Sequence, residues 1–156
     1  MSIIAAGIAA PAFSLMREDG SRFTQDDLLG TRTIFVFYPA AFSDVCTDQF
    51  QIYEEALGEI AEHGAVMYGV SCDSYVSQAA FREKLGVTIP QLSDFEPKGA
   101  MSKAFGAYFE QAGISNRALV ITGPDGVVTW SWAGEHPGVL PGINIVMDGL
   151  AASAAA

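Results

Sequence analysis

A proline, a serine and a cysteine at fixed intervals form the most reactive pattern in this chain: Pro39, Ser43 and Cys46 read P-x-x-x-S-x-x-C. The cysteine stands just past an apolar run and at the start of a helical periodicity. A thiol in the first turn of a helix faces unpaired backbone N–H groups and the positive end of the helix dipole, which favour thiolate over thiol. Ser43, three residues earlier, can set a hydroxyl beside the sulfur. Pro39 can shield the sulfur by closing the loop without adding a competing N–H donor. A plainer reading stands beside this one: free cysteine is often a small buried hydrophobe, and Ser43 would then be only the helix N-cap.

Other reactive side chains are sparse. Cys72 ends a second apolar run, a place where a packing role is favoured over that of a resolving thiol. There is no C-x-x-C to suggest a dithiol oxidoreductase and no glycine-rich phosphate loop. His63 and His136 stand apart from each other and from both cysteines without ligand spacing, so no metal is expected. Trp130 and Trp132 alternate with Ser131, so they point the same way off a strand and suit a core or subunit contact better than a ligand box.

The elements that must position these groups follow from periodicity. Phe13 and Leu15 alternate as a strand, Asp19-Gly20 turns the chain, and Thr24 to Asp27 resembles a capping box opening one short helical turn that ends at Gly30. Thr33 to Tyr38 (TIFVFY) is a continuous β-branched and aromatic run, the mark of a strand buried on both faces, and Pro39 stops it. After the loop Pro39 to Asp44, Phe50, Tyr53, Leu57 and Ile60 recur as the apolar stripe of one helix closing near His63-Gly64. A second buried strand spans Ala65 to Ser71, and Asp73 or Ser74 caps a helix to Lys84 with Gly86 as its stop. Gln91 to Ser93 is a short strand and Lys98 to Phe105 a short helix. The hairpin Ala118–Thr122 and Val127–Trp132 turns at Gly123-Pro124-Asp125-Gly126, and Ile143 to Ala152 makes a last helix. Buried strands separated by helices, then an antiparallel hairpin and a closing helix, describe an α/β protein: a mixed central sheet with helices on both faces, in the order of a thioredoxin-like fold.

Composition bounds the partners. With 156 residues, 50% hydrophobic and 17% charged, the chain suits a single domain over 1–156 with ample core and excludes a disordered chain. The Ala-rich end, Ala151 to Ala156, reads as a frayed helix terminus. Eight basic against eighteen acidic residues leave a net charge of -10, which repels phosphate backbones and anionic lipid alike, so neither nucleic acid nor membrane is an expected partner. No charge-free stretch reaches the roughly 18 residues a membrane helix needs. In the uncharged start, Met1 to Met16, the first basic side chain, Arg17, follows the apolar residues instead of preceding them as in a secretory signal. Two cysteines fit a reducing compartment, so a cytoplasmic location is expected.

Over nearly the whole chain the motifs resemble those of the peroxiredoxins. The stretch Phe37-Tyr38-Pro39-Ala40-Ala41-Phe42-Ser43-Asp44-Val45-Cys46 is similar to that family's P-x-x-x-T-x-x-C site. Ala10 to Leu15 resembles its opening strand, Gly69 to Ser74 its third-strand signature, Pro90 to Phe95 a later loop, and Gly113 to Ala118 the stretch carrying its active-site arginine, here Arg117. Gly99 to Arg117 is most like the one-cysteine alkyl hydroperoxide reductase E type. The resemblance implies a thiol peroxidase with Cys46 as peroxidatic nucleophile and Arg117, Ser43 and Pro39 around it. It implies a hydroperoxide substrate, an external thiol or redoxin-type reductant, no cofactor, and a homodimer. Ser43 replaces the usual Thr, keeping the hydroxyl but losing the methyl that fixes its rotamer. Arg117 has a plain chemical use, since an always-charged fork can hold a thiolate and then the peroxide oxygens. Without the resemblance, a surface salt-bridge residue is the favoured reading of it. Gln49, at a position where the family carries Glu, Gln or His, could equally be a solvated helix residue. The rival from another class is a non-catalytic thioredoxin-fold binding module with an inert Cys46.

Overall fold

A computed structural model describes residues 2–154. The chain opens with the hairpin β1 (Ser14–Arg17) and β2 (Arg22–Thr24), turned at Asp19 and Gly20, where φ is +84°. A single 3-10 turn at Gln25–Leu28 follows, and its capping box pairs Thr24 with Asp27 as the sequence suggests. The continuous apolar run becomes β3 (Arg32–Phe37), one residue earlier at each end than expected. Tyr38 still donates its N–H to Val70 (2.9 Å), but Pro39 has no N–H to continue the ladder.

The helix expected over Phe50 to Ile60 is two: α1 (Asp44–Glu55) and α2 (Leu57–Glu62), parted at Ala56, whose φ and ψ are -98° and 2°. Gly58, a poor helix former, lies just beyond the break and does little to hold the turns in line. Then come β4 (Ala65–Ser71) and α3 (Tyr75–Leu85), whose first N–H groups are capped by Ser74 and whose end is set by Gly86 at φ +68°. β5 (Gln91–Ser93) leads to α4 (Ala100–Ala104), shorter than the expected Lys98–Phe105 because Gly99, in the left-handed region at φ +70°, is its N-cap. A small pair, β6 (Tyr108–Phe109) and β7 (Ile114–Ser115), was not legible from periodicity. β8 (Ala118–Thr122), β9 (Val128–Ala133) and α5 (Ile143–Ala154) complete the chain. The last helix outruns Ala152, and the remaining Ala155 and Ala156 of the supposedly frayed end lie outside the described residues.

Seven strands form one mixed sheet in the order β2-β1-β5-β4-β3-β8-β9. β3 is central, parallel to β4 and antiparallel to β8. Its side chains alternate between two apolar layers. Ile34 and Val36 meet Phe50, Tyr53, Ile60, Val146 and Leu150 on one face, and Phe35 and Phe37 meet Phe13, Met101 and Phe105 on the other. Burial on both faces is why the run shows no polar alternation, and each large side chain so buried contributes about 1.5–3 kcal/mol. The result is the expected thioredoxin-like arrangement, with β3 and β4 delivering the loops after Phe37 and Ser71 to the same end of the sheet. Among the described residues no helix is long and apolar enough to cross a membrane.

Candidate active site

Local geometry accounts for the cysteine's position. Ser43 takes an extended backbone (φ -74°, ψ 147°) and caps α1, its Oγ accepting the N–H of Cys46 at 3.3 Å. Its carbonyl accepts both the N–H of Thr47 (2.9 Å) and the Thr47 hydroxyl (3.0 Å). Cys46 therefore sits in the first turn, with a side chain fully buried beside Tyr38 and Phe50. Pro39 is half-buried where the chain leaves β3. Between them Phe42 holds φ +68°, a left-handed conformation that costs a non-glycine residue about 1–2 kcal/mol. The loop is tied down on both sides: the Asp73 carboxylate accepts the Ala41 N–H (2.8 Å) and the Ser71 hydroxyl (2.7 Å), and the exposed Phe42 ring meets Phe81 edge-on at 5.4 Å.

Arg117 completes the constellation from 71 residues away. It precedes β8, is only 2% exposed, and donates from Nη2 to Cys46 Sγ at 3.0 Å, from Nη1 to Gln49 Oε1 at 2.7 Å and from Nε to the Pro137 carbonyl at 2.6 Å. The reading of Arg117 as a surface salt-bridge residue is overturned, because the strand pairing of β3 with β8 turns its side chain inward against the start of α1. Among the described residues no carboxylate pairs with it, and the ion pairs join Arg17 to Asp27 and Arg82 to Glu18. A buried guanidinium without a counterion is costly. Of its three acceptors, only the Cys46 sulfur can itself become an anion, and a donor of this kind bonds an anion more strongly than a neutral atom.

Gln49, one turn beyond Cys46, is fully buried instead of solvated, and its amide oxygen is taken by Arg117. Its Nε2 donates to the Tyr53 hydroxyl at 3.2 Å, which in turn donates to the Pro141 carbonyl at 2.6 Å. Burial pushes the Tyr53 hydroxyl up to about 12, so it stays a neutral donor near neutral pH. The sequence signals Tyr53 only as part of an apolar stripe; its hydroxyl is a polar participant that periodicity cannot register.

Cys72 lies just past β4 in a different setting. It is half-buried, and its Sγ is 3.6 Å from Ser115 Oγ, which lies 2.7 Å from Ser102 Oγ. Burial raises the Cys72 thiol above its ordinary range, and the Asp94 carboxylate adds to the rise. Both cysteines are free thiols. His63 closes α2, and its carbonyl accepts from Arg32 at 3.2 Å, while His136 Nδ1 accepts the N–H of Gly138 at 3.1 Å. No group of three or more His, Cys, Asp or Glu among the described residues is placed to hold a metal. Trp130 and Trp132 pack, partly buried, against the core on the α5 side. Gly149 of α5 lies so close to Trp130 that a Cβ there would come within 2.5 Å of the indole.

Residues 6–131 match the AhpC/TSA family. The alkyl hydroperoxide reductase E of Mycobacterium tuberculosis is 29% identical over 147 residues, which cover 94% of this chain and 95% of that protein. A second M. tuberculosis protein, which carries the name peroxiredoxin, is 39% identical over 105 residues, 67% of this chain and 66% of its own length. Among solved structures, AhpC of Enterococcus faecalis shares the fold with a TM-score of 0.84 and 28% identity, over 99% of this chain and 93% of that one.

Proposed function

Because this chain belongs to the AhpC/TSA family it is a thiol-dependent peroxidase, and we propose that Cys46 is its peroxidatic nucleophile. The observation that carries this assignment is the buried Arg117 guanidinium at 3.0 Å from the Cys46 sulfur, with no carboxylate among the described residues to neutralise it. In the proposed reaction the thiolate attacks the terminal oxygen of a hydroperoxide. The S–O bond forms as the O–O bond breaks, and the departing oxygen takes a proton to leave as water or an alcohol. Ionising an ordinary thiol completely near neutral pH gains only about thirtyfold in reactive species. The remaining acceleration is assigned to Arg117 and the Ser43 hydroxyl as donors to the charge that develops on the leaving oxygen, with the Cys46 N–H holding the Ser43 oxygen in place. Pro39, without an N–H of its own, shields the sulfur at the loop entrance.

A first external thiol then attacks the sulfenic sulfur and releases water, leaving a mixed disulfide, and a second restores the Cys46 thiol as a disulfide departs. We assign both to an external reductant, a low-mass thiol or a redoxin, because the Cys72 thiol faces Ser115 and is kept protonated by burial. A homodimer acting in the cytoplasm fits the family resemblance and the two unpaired thiols. The deciding experiment is peroxide consumption in the presence of a thiol. One peroxide should disappear for every two thiols oxidised, with a dimedone adduct on Cys46 after a single equivalent of peroxide. A protein that consumes no peroxide with any thiol would leave the non-catalytic binding module.

A further inference from the structure

The hydrogen bonds around Arg117 have a direction that singles out a residue outside the reacting set. Arginine offers only donors, so Gln49 must turn its amide oxygen toward Arg117 and its Nε2 toward Tyr53. The Tyr53 oxygen must then accept, which obliges its own proton to go elsewhere, and it goes to the Pro141 carbonyl. From that carbonyl to the Cys46 sulfur every donor has one acceptor, and Gln49 and Tyr53 are both essentially inaccessible to water. The opposite side of the guanidinium is held by the Pro137 carbonyl, four residues from Pro141 in the same loop between β9 and α5. Arg117 is thus aimed from two sides by one segment, and the link on one side is a phenol.

We propose that Tyr53 is a positioning residue for the peroxidatic step, acting through Gln49 to hold Arg117 against Cys46. The inference rests on the assignment of Cys46 and Arg117 as the reacting pair. Tyr53→Phe keeps the ring and its packing but removes the hydroxyl, leaving the Gln49 amide free to rotate and the Pro141 carbonyl unpaired. In a Cys72→Ser background, where Cys46 is the single thiol, two rates are measured near neutral pH: alkylation by iodoacetamide and thiol loss to hydrogen peroxide. Tyr53→Phe should slow alkylation about fivefold, the effect of one lost hydrogen bond on the group it orients. The same substitution in an Arg117→Lys background should leave the rate unaltered, because the aim of the guanidinium is already lost. Unchanged or faster alkylation in Tyr53→Phe overturns the proposal, the faster result showing only a loosened core. An equal slowing in the Arg117→Lys background overturns it as well. The alkylation cycle decides the role of Tyr53, while the peroxide arm separately decides the peroxidase mechanism at Cys46, so either can fail alone.

Discussion

Two cysteines follow neighbouring parallel strands at the same end of the sheet, yet their surroundings are opposite in sign. Cys46, beyond β3, opens a twelve-residue helix and meets a buried guanidinium at 3.0 Å. Cys72, beyond β4, faces a neutral serine hydroxyl at 3.6 Å, with a carboxylate near enough to disfavour its ionisation further. Both are at least partly buried, and burial alone opposes a thiolate. On the proposed assignment, what separates a nucleophile from a spectator in this fold is the set of donors aimed at the sulfur, not its place at a strand end.

The largest effect expected from breaking this contrast is an all-or-none difference. Cys46→Ser should abolish peroxide reduction with the fold intact, while Cys72→Ser turns over at close to the parent rate with an external thiol. A stoichiometric Cys46–Cys72 disulfide in non-reducing mass spectra, with turnover lost in Cys72→Ser, would make the second thiol a resolving residue. Next in size, Arg117→Lys should lower the second-order rate with peroxide about a hundredfold. An ammonium keeps the charge but cannot bridge the sulfur and Gln49 with a planar fork. Stopped-flow measurement of sulfenic acid formation would check this, and an unchanged rate would return Arg117 to a purely structural role.

A smaller effect is expected at Ser43, whose hydroxyl caps α1 through the Cys46 N–H. Ser43→Ala should cost about 1 kcal/mol of stability in urea titrations and about fivefold in peroxide rate, whereas Ser43→Thr should match or exceed the parent. Equal peroxide rates in the parent and the alanine variant would reduce the hydroxyl to a cap. The smallest effect concerns Cys72. Its folded thiol ionises above the ordinary 9.0, so in the window above that pH the native state holds a proton that the unfolded chain has released. Its contribution to stability is complete below that window and is lost as pH rises through it. Cys72→Ser should therefore flatten the fall in urea midpoint just above pH 9, before the buried Tyr53 begins to contribute between 10.0 and about 12.

Much of the scaffold was legible in order along the chain. The two-faced burial of β3 shows in its unbroken apolar run, the stop at Pro39 follows from a missing N–H, and Gly86 ends α3 in the left-handed conformation glycine tolerates. The break at Ala56 and the short strands β6 and β7 were not, since an apolar stripe continues across a kink and two-residue strands carry no period. At the site, the family motif pointed to Arg117, but its residues alone favoured the surface. The residues leave Gln49 evenly balanced between site and solvent, and periodicity registers Tyr53 only as an apolar position.

Local chemistry and remote pairing divide the determination of this protein. The sequence by itself determined that Cys46 would begin a helix, with Ser43 three residues earlier as its cap, because an N-cap and the N–H it accepts lie within one turn of the chain. Its apolar runs and turn residues likewise determined the succession of buried strands. Tertiary structure alone decided which donor the sulfur meets. Setting β8 antiparallel to β3 closes a 71-residue gap between Arg117 and Cys46. The same packing decided that Gln49 and Tyr53 face inward, that the Pro141 carbonyl fixes Tyr53 and the Pro137 carbonyl fixes Arg117, and that Cys72 turns to a hydroxyl. The physical reason is that a hydrogen bond is specified by position and direction to fractions of an ångström, whereas periodicity records only which face of an element is apolar.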